Sequence, residues 1–401
     1  MKTSVLHSYV NTIILFAILL LGALSASDLG GPDSKYNSIC FLLAVMFFFL
    51  NRHIDYSLMS FFAIPLIFLL LSVVVNISTL HPGGFNAALT IIVGYTLLTL
   101  KPFSLHQTLM RRLIVLYLIT GLVLSINATM ENLALTVAVG NAGFNGNPNG
   151  ASIFFCGCII LSLVFAGSFL RWFLVIAFSL LVITTGSRAG LIDNAMLLVG
   201  YLLFSADVPH RTCIRNVLNK SKVLLLLGLV LVPVLAYYLV PDSVDFIVQR
   251  FTASGVGISA KGGGGRDEIW ESALDVSKQS LTSILIGHGP ATATDLIDSG
   301  THSSYVEATT SIGWPFMIST MLALLFLFRY HIRRTQGIFL IYAIPILVHG
   351  ATETILFSGL GTLWYLLIFL SLYFRSKNSA KVLLKGKYID PHYGKYVNQH
   401  C

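Results

Sequence analysis

The chain has 401 residues, of which 55% are hydrophobic and only 10% charged, with a mean hydropathy of +0.81. A soluble globular chain carries about 25% charged residues, so this composition excludes a soluble protein and points to an integral membrane protein. The formal charge of +8 would suit an anionic partner such as nucleic acid, but the placement of the basic residues makes most of them orientation signals instead.

About 20 apolar residues cross a bilayer core. On that measure about twelve spans are expected, near 9–26, 37–51, 57–77, 84–100, 112–130, 150–168, 171–186, 189–206, 223–241, 311–328, 338–356 and 360–374. The first, preceded by Lys2, resembles a signal peptide ending at Ser25-Ala26-Ser27 but is read as an uncleaved span. The pair 171–186 and 189–206 is joined by almost nothing. One long polar loop, 242–310, interrupts the series. The expected fold is therefore an all-α integral membrane protein, a single polytopic domain over 1–401.

With the N-terminus inside, 19 of the 25 Lys and Arg fall on the cytoplasmic side; the others are Lys35, Arg188, Arg250, Lys261, Arg266 and Lys278. This bias follows the positive-inside rule. It puts both termini in the cytoplasm and the 242–310 loop on the outer face, which in a bacterial inner membrane is the periplasm. Five cysteines form neither a disulfide framework nor a zinc spacing, and Cys156-Gly157-Cys158 reads as lipid-facing or packing material.

Chemistry is sought among residues that break these rules. Asn141–Gly150, which includes Asn147 and Asn149, is a turn-rich outer segment whose amides suit sugar hydroxyls, or simply a loop between helices. Arg188, in Thr185-Gly186-Ser187-Arg188-Ala189-Gly190, is held at the interface by two helix ends. Its fork of donors suits phosphate, while the plainer alternative is a snorkelling arginine. Asp193, His349 and Glu353 lie within spans, where ionisable groups are costly and usually functional. His349 and Glu353 are four apart and share a helix face, as a structural pair or the floor of a cavity.

In the long loop, Gly262–Gly265 precede Arg266, and Ile269, Trp270, Ala273, Leu274 and Val276 predict a short amphipathic helix from about Asp267. Glycines and a helix N-terminus favour an approaching anion; a flexible linker into a surface helix is the alternative. His302, followed by Ser303-Ser304-Tyr305, lies just ahead of a span and can accept or steer a hydroxyl proton, or is ordinary loop surface. No GxxxxGK[ST], no HExxH and no metal cluster is present, so neither metal nor cofactor is expected; Asp28…Asp33 is the only approach to a carboxylate pair in an outer loop.

With these residues placed, the chain resembles the bacterial O-antigen polymerase and O-antigen ligase superfamily. The resemblance is carried in order by Asn147-Pro148-Asn149, Ser187-Arg188-Ala189-Gly190, and Arg266…Trp270 with Gly287-His288-Gly289. His302-Ser303-Ser304-Tyr305 with Gly313-Trp314-Pro315 completes it, covering mainly residues 140–330. Ser303 and Phe316 depart from the family pattern. The resemblance implies a metal-independent, inverting glycosyltransferase that uses undecaprenyl-diphosphate-linked glycans at the periplasmic face of the membrane. It implies catalytic roles for His302, Arg188 and Arg266; Asn147, Asn149, Tyr305 and Glu353 are further candidate substrate contacts. Implied partners are the lipid-linked glycan, membrane lipid and a chain-length regulator, with no nucleic acid. Polymerase is preferred; the alternatives are an O-antigen ligase acting on lipid A–core, and a polysaccharide transporter or flippase.

Overall fold

The computed structural model describes residues 2–25, 35–51, 55–99, 105–135, 148–204, 266–297, 300–335 and 338–352, together with Val234, Tyr237 and Tyr238. These residues are mostly helical, and no strand occurs among them. In chain order the helices are α1 (Lys2–Ser25), α2 (Lys35–Asn51), α3 (Tyr56–Val75), α4 (Pro82–Thr99), α5 (Gln107–Leu135), α6 (Pro148–Phe165), α7 (Ser168–Thr185) and α8 (Arg188–Phe204). Then come α9 (Arg266–Ser277), α10 (Leu281–Ile286), α11 (Ala293–Ile297), α12 (Ser304–Ser311), α13 (Trp314–Thr335) and α14 (Ile338–Thr352).

Four of them are long and apolar enough to cross a membrane: Leu6–Leu24, Tyr56–Val75, Gln107–Thr129 and Pro148–Phe165. Shorter apolar helices run over Ser38–Leu50, Phe169–Thr185 and Trp314–Tyr330. The architecture is that of an all-α, membrane-embedded protein. The expected spans 223–241, save for three residues, and 360–374 lie outside the described residues, as do Asn147, Gly262–Gly265 and Glu353.

Polar contacts fix the two ends of the bundle. At one end Asp55 caps α3, accepting from Ser57 N at 3.2 Å, and its own backbone N–H bonds Thr99 O at 2.8 Å. Tyr330 of α13 donates to the same carboxylate, so α3 and α13 pack antiparallel. Arg111 donates to Phe165 O at 2.8 Å and Arg171 to Ala166 O at 3.2 Å. Two cations from neighbouring helices thus satisfy the last carbonyls of α6, as expected of basic groups at a helix C-terminus. At the opposite end Ser72 of α3 donates to Ser311 O at 3.4 Å, and the helices α9 to α12 gather over that point.

Two glycines admit close approaches that a side chain would block. A Cβ on Gly190 would sit 2.4 Å from Ser152 Cβ, which lets α8 close on α6. A Cβ on Gly287 (φ 72°) would sit 2.4 Å from Ser311 O. Gly287-His288-Gly289 therefore wraps the end of α12, and Gly289 N–H bonds Ser311 O at 2.8 Å. The span expected at 311–328 begins later: Ile312 and Gly313 (φ 108°) break the chain between α12 and α13. Cys156 and Cys158 are both buried, so they are packing residues and not lipid-facing ones.

Candidate functional site

Among the described residues, the polar groups of the loop end converge on the segment Thr301-His302-Ser303. Thr301 is buried, and its carbonyl accepts from Trp270 Nε1 of α9 at 2.7 Å. Ser303 is the N-cap of α12, its hydroxyl accepting from Val306 N at 3.4 Å. Between these two anchored neighbours His302 is exposed and held at φ 48°, with its imidazole lying over Gly300. Left-handed backbone is uncommon outside glycine, though histidine tolerates it better than most. Such a conformation costs about 1–3 kcal/mol and persists where surrounding contacts over-determine it. Here those contacts push the imidazole outward.

Thr301 is held further by Glu307, a residue that no local sequence signal singled out. It lies in α12, outside the expected spans, and is buried. One carboxylate oxygen accepts from the Thr301 hydroxyl at 3.0 Å and the other from Ser311 Oγ at 2.7 Å. The Ala293 N–H also reaches the carboxylate. Ser311 Oγ in turn accepts from the N–H groups of Thr292 and Ala293 at 3.2 and 3.1 Å. One carboxyl group thus joins α12, the turn before α11 and the residue next to His302.

Burial raises the Glu307 pKa, opposed by the bonds from Ser311, Thr301 and Ala293, and Asp295 nearby adds to the rise. With a raised folded value, the folded protein holds this proton more tightly than the unfolded chain. Its contribution to stability is therefore greatest when protonated and declines as pH rises from the ordinary glutamate range through the raised value. Glu307→Gln should flatten the slope of melting temperature as pH rises above the ordinary glutamate range, while Glu307→Ala, which orphans buried donors, should cost about 1–3 kcal/mol. An unchanged pH slope in Glu307→Gln would remove the carboxyl from this role.

Arg266 is the first residue of α9 and half-buried, one turn ahead of Trp270 on the same helix face. The Trp270–Thr301 bond therefore ties the arginine's helix directly to the His302 loop. Arg188 is the first residue of α8 and exposed. Gly186 (φ 63°) ends α7, and Ser187 Oγ accepts from Gly190 N at 3.2 Å, so the turn that presents Arg188 is rigid. Asn149 is half-buried at the start of α6, one turn from the Ser152–Gly190 contact, and its carbonyl accepts from Ser152 at 2.8 Å.

Helix α14 bridges these pieces. Tyr305 of α12 donates to Leu347 O at 2.7 Å; burial pushes its phenol up to about 12, so it stays a neutral donor. Two residues on, His349 Nδ1 meets Asp193 Oδ2 of α8, both side chains being buried. His349 thus takes its carboxylate from 156 residues away, whereas the sequence pointed to Glu353, which lies outside the described residues, as does Asn147. Three hydrogen bonds, Trp270–Thr301, Tyr305–Leu347 and His349–Asp193, link the segments carrying Arg266, His302 and Arg188 at one end of the bundle.

The His302 imidazole is exposed and its loop is tied to the helix that begins with Arg266, an arrangement that can bind an anion and handle a hydroxyl proton. Among the described residues no group of three His, Cys, Asp or Glu side chains is placed to hold a metal ion. A scan against protein-family models and a search of curated proteins each return no match to this chain.

Proposed function

We propose that the chain is a glycosyltransferase at the outer face of a bacterial inner membrane, polymerising undecaprenyl-diphosphate-linked repeat units of O-antigen or a related polysaccharide. In this reading twelve helices span the membrane, both termini are cytoplasmic, and the 242–310 loop is periplasmic. The observation that carries it is the Trp270–Thr301 hydrogen bond, which puts the helix headed by Arg266 beside the loop that presents His302.

An acceptor sugar hydroxyl attacks the anomeric carbon of the lipid-linked glycan. A new glycosidic bond forms with inversion, the bond from the anomeric carbon to the diphosphate oxygen breaks, and the hydroxyl proton passes to His302. Undecaprenyl diphosphate leaves carrying its electron pair, its charge offset by Arg188 and Arg266. Asn149, Tyr305, Asn147 and Glu353 are assigned to binding the sugar. Diphosphate is a good leaving group, so offsetting charge matters more than donating a proton to it.

The buried Asp193–His349 pair favours a second reading, a transporter of the same glycan, because ionisable groups inside a membrane often mark a transport path. Purified protein in vesicles, given lipid-linked single repeats without ATP or a proton gradient, separates the two. Longer chains support the polymerase; unchanged single repeats moved across the bilayer support the transporter. Arg188→Ala and Arg266→Ala are each expected to slow chain growth by about 10²- to 10³-fold, the usual cost of losing one charge-stabilising donor. Arginine-to-lysine replacements should recover only part, since lysine lacks the planar fork. Full activity in either alanine variant would remove that arginine from the site.

A further inference from the structure

Helix α10 presents a surface that the glycan chemistry leaves unexplained. It has six residues, Leu281–Ile286. Leu281 and Leu285, four apart and therefore on one face, are 71% and 42% exposed. Their exposure is fixed and not that of a loose loop. Ser280 caps the helix start, accepting from Ser283 N at 3.0 Å, and Gly287 closes its end against Ser311.

We infer that α10 lies in the membrane–water interface, with Leu281 and Leu285 inserted among the lipid acyl chains of the outer leaflet. Three observations favour lipid over any other cover. First, α10 packs against α3 and α13. The last turn of α3 and the turn that follows it carry exposed Val74, Val75 and Ile77, below which the same helix exposes Ile64, Ile67, Leu70 and Leu71. Helix α10 thus sits against a helix long enough to span a membrane, whose exposed residues are apolar.

Second, the neighbouring helix has the opposite character. The exposed residues of α9 include Glu268, Glu271, Ser272 and Asp275, groups that belong in water. Lys278, paired with Asp275 at 3.8 Å, stands between the acidic helix and the leucines, as a basic residue does at an interfacial boundary. Third, two leucines and their neighbours on a six-residue helix offer far less area than the roughly 1,200 Å² that a stable protein–protein interface buries. A lipid surface needs no such minimum. The consequence is a fixed depth for the cap: α9, which begins with Arg266, and the Thr301–Ser303 loop are held at headgroup level.

Nitroxide labels test this without reference to any activity. Single cysteines would be placed at Leu281, Leu285, Glu271 and Asp275 in a Cys213→Ser, Cys401→Ser background. Cys40, Cys156 and Cys158 are buried and remain unlabelled. In nanodiscs of phosphatidylethanolamine and phosphatidylglycerol, collision rates with oxygen and with a water-soluble nickel chelate are compared. Labels at 281 and 285 should favour oxygen several-fold over those at 271 and 275, which should favour nickel. Nickel access at 281 and 285 equal to that at 271 would place the leucines in water, and low access to both reagents would place them under protein. Either result overturns the inference.

Discussion

Replacing Asp193 by alanine should remove most of the folded protein from the membrane. Asp193 and His349 are fully buried and meet across the α8–α14 contact, and Asp193 Oδ1 has no further hydrogen-bond partner among the described residues. Removing one member of a buried pair typically costs about 3–5 kcal/mol, a large share of the roughly 5–15 kcal/mol that keeps a domain folded. Asp193→Asn keeps an oxygen that can accept from Nδ1–H and should cost less. Replacing both partners together, Asp193→Leu with His349→Phe, should recover much of the loss, because it leaves no buried polar group without its partner. Thermal melts followed by size-exclusion profiles in detergent would rank the three. An Asp193→Ala melt within a degree of the parent would mean the pair contributes nothing to stability. The double replacement also bears on function: a polymerase should still lengthen chains with an apolar pair there, whereas a transporter that moves protons through the pair should stop moving single repeats across the bilayer.

The parts of this molecule that follow local rules were legible in the sequence. Apolar runs of membrane length predicted α3 and α6 to within a few residues, because a helix is the only local way to satisfy backbone polar groups in lipid. The periodicity of Ile269, Trp270, Ala273 and Leu274 predicted α9, and the structure begins it at Arg266. What local rules could not show was long-range pairing. Helix geometry offers His349 a partner four residues away, Glu353, which lies outside the described residues, but nothing local indicated that it would also meet Asp193 of another helix. Trp270 read as part of an apolar face, and nothing local indicated that its indole N–H would reach the carbonyl beside His302. Glu307 was hidden for a similar reason. It stands five residues after His302 in a run of Val, Ala and Thr, and its role comes from a turn, Thr292–Ala293, that only the folded chain brings to it. The available signal was a lone acidic residue in a short segment leading into an apolar span.

The largest functional effect is expected at His302. If it takes the acceptor proton, His302→Ala should lower chain growth by about 10²- to 10⁴-fold, the usual contribution of a general base, while leaving the protein in the membrane at normal abundance. Normal abundance is expected because the side chain is exposed. The contacts that fix its backbone belong to Thr301 and Ser303: the Trp270 and Glu307 bonds on one side, and the α12 cap on the other. Alanine at φ 48° is less tolerant of left-handed backbone than histidine. His302→Asn, which favours that conformation, therefore serves as a second variant in which loss of activity cannot be blamed on the turn. His302→Gln separates two roles, since an amide can orient a hydroxyl but cannot accept its proton near neutral pH. Loss of chain growth in Ala, Asn and Gln alike supports proton transfer. Near-normal growth in His302→Gln with loss in His302→Ala leaves the residue an orienting role only. Near-normal growth in all three would make His302 a surface residue, and the strain in its backbone would then belong to the turn that Glu307 and Trp270 hold in place.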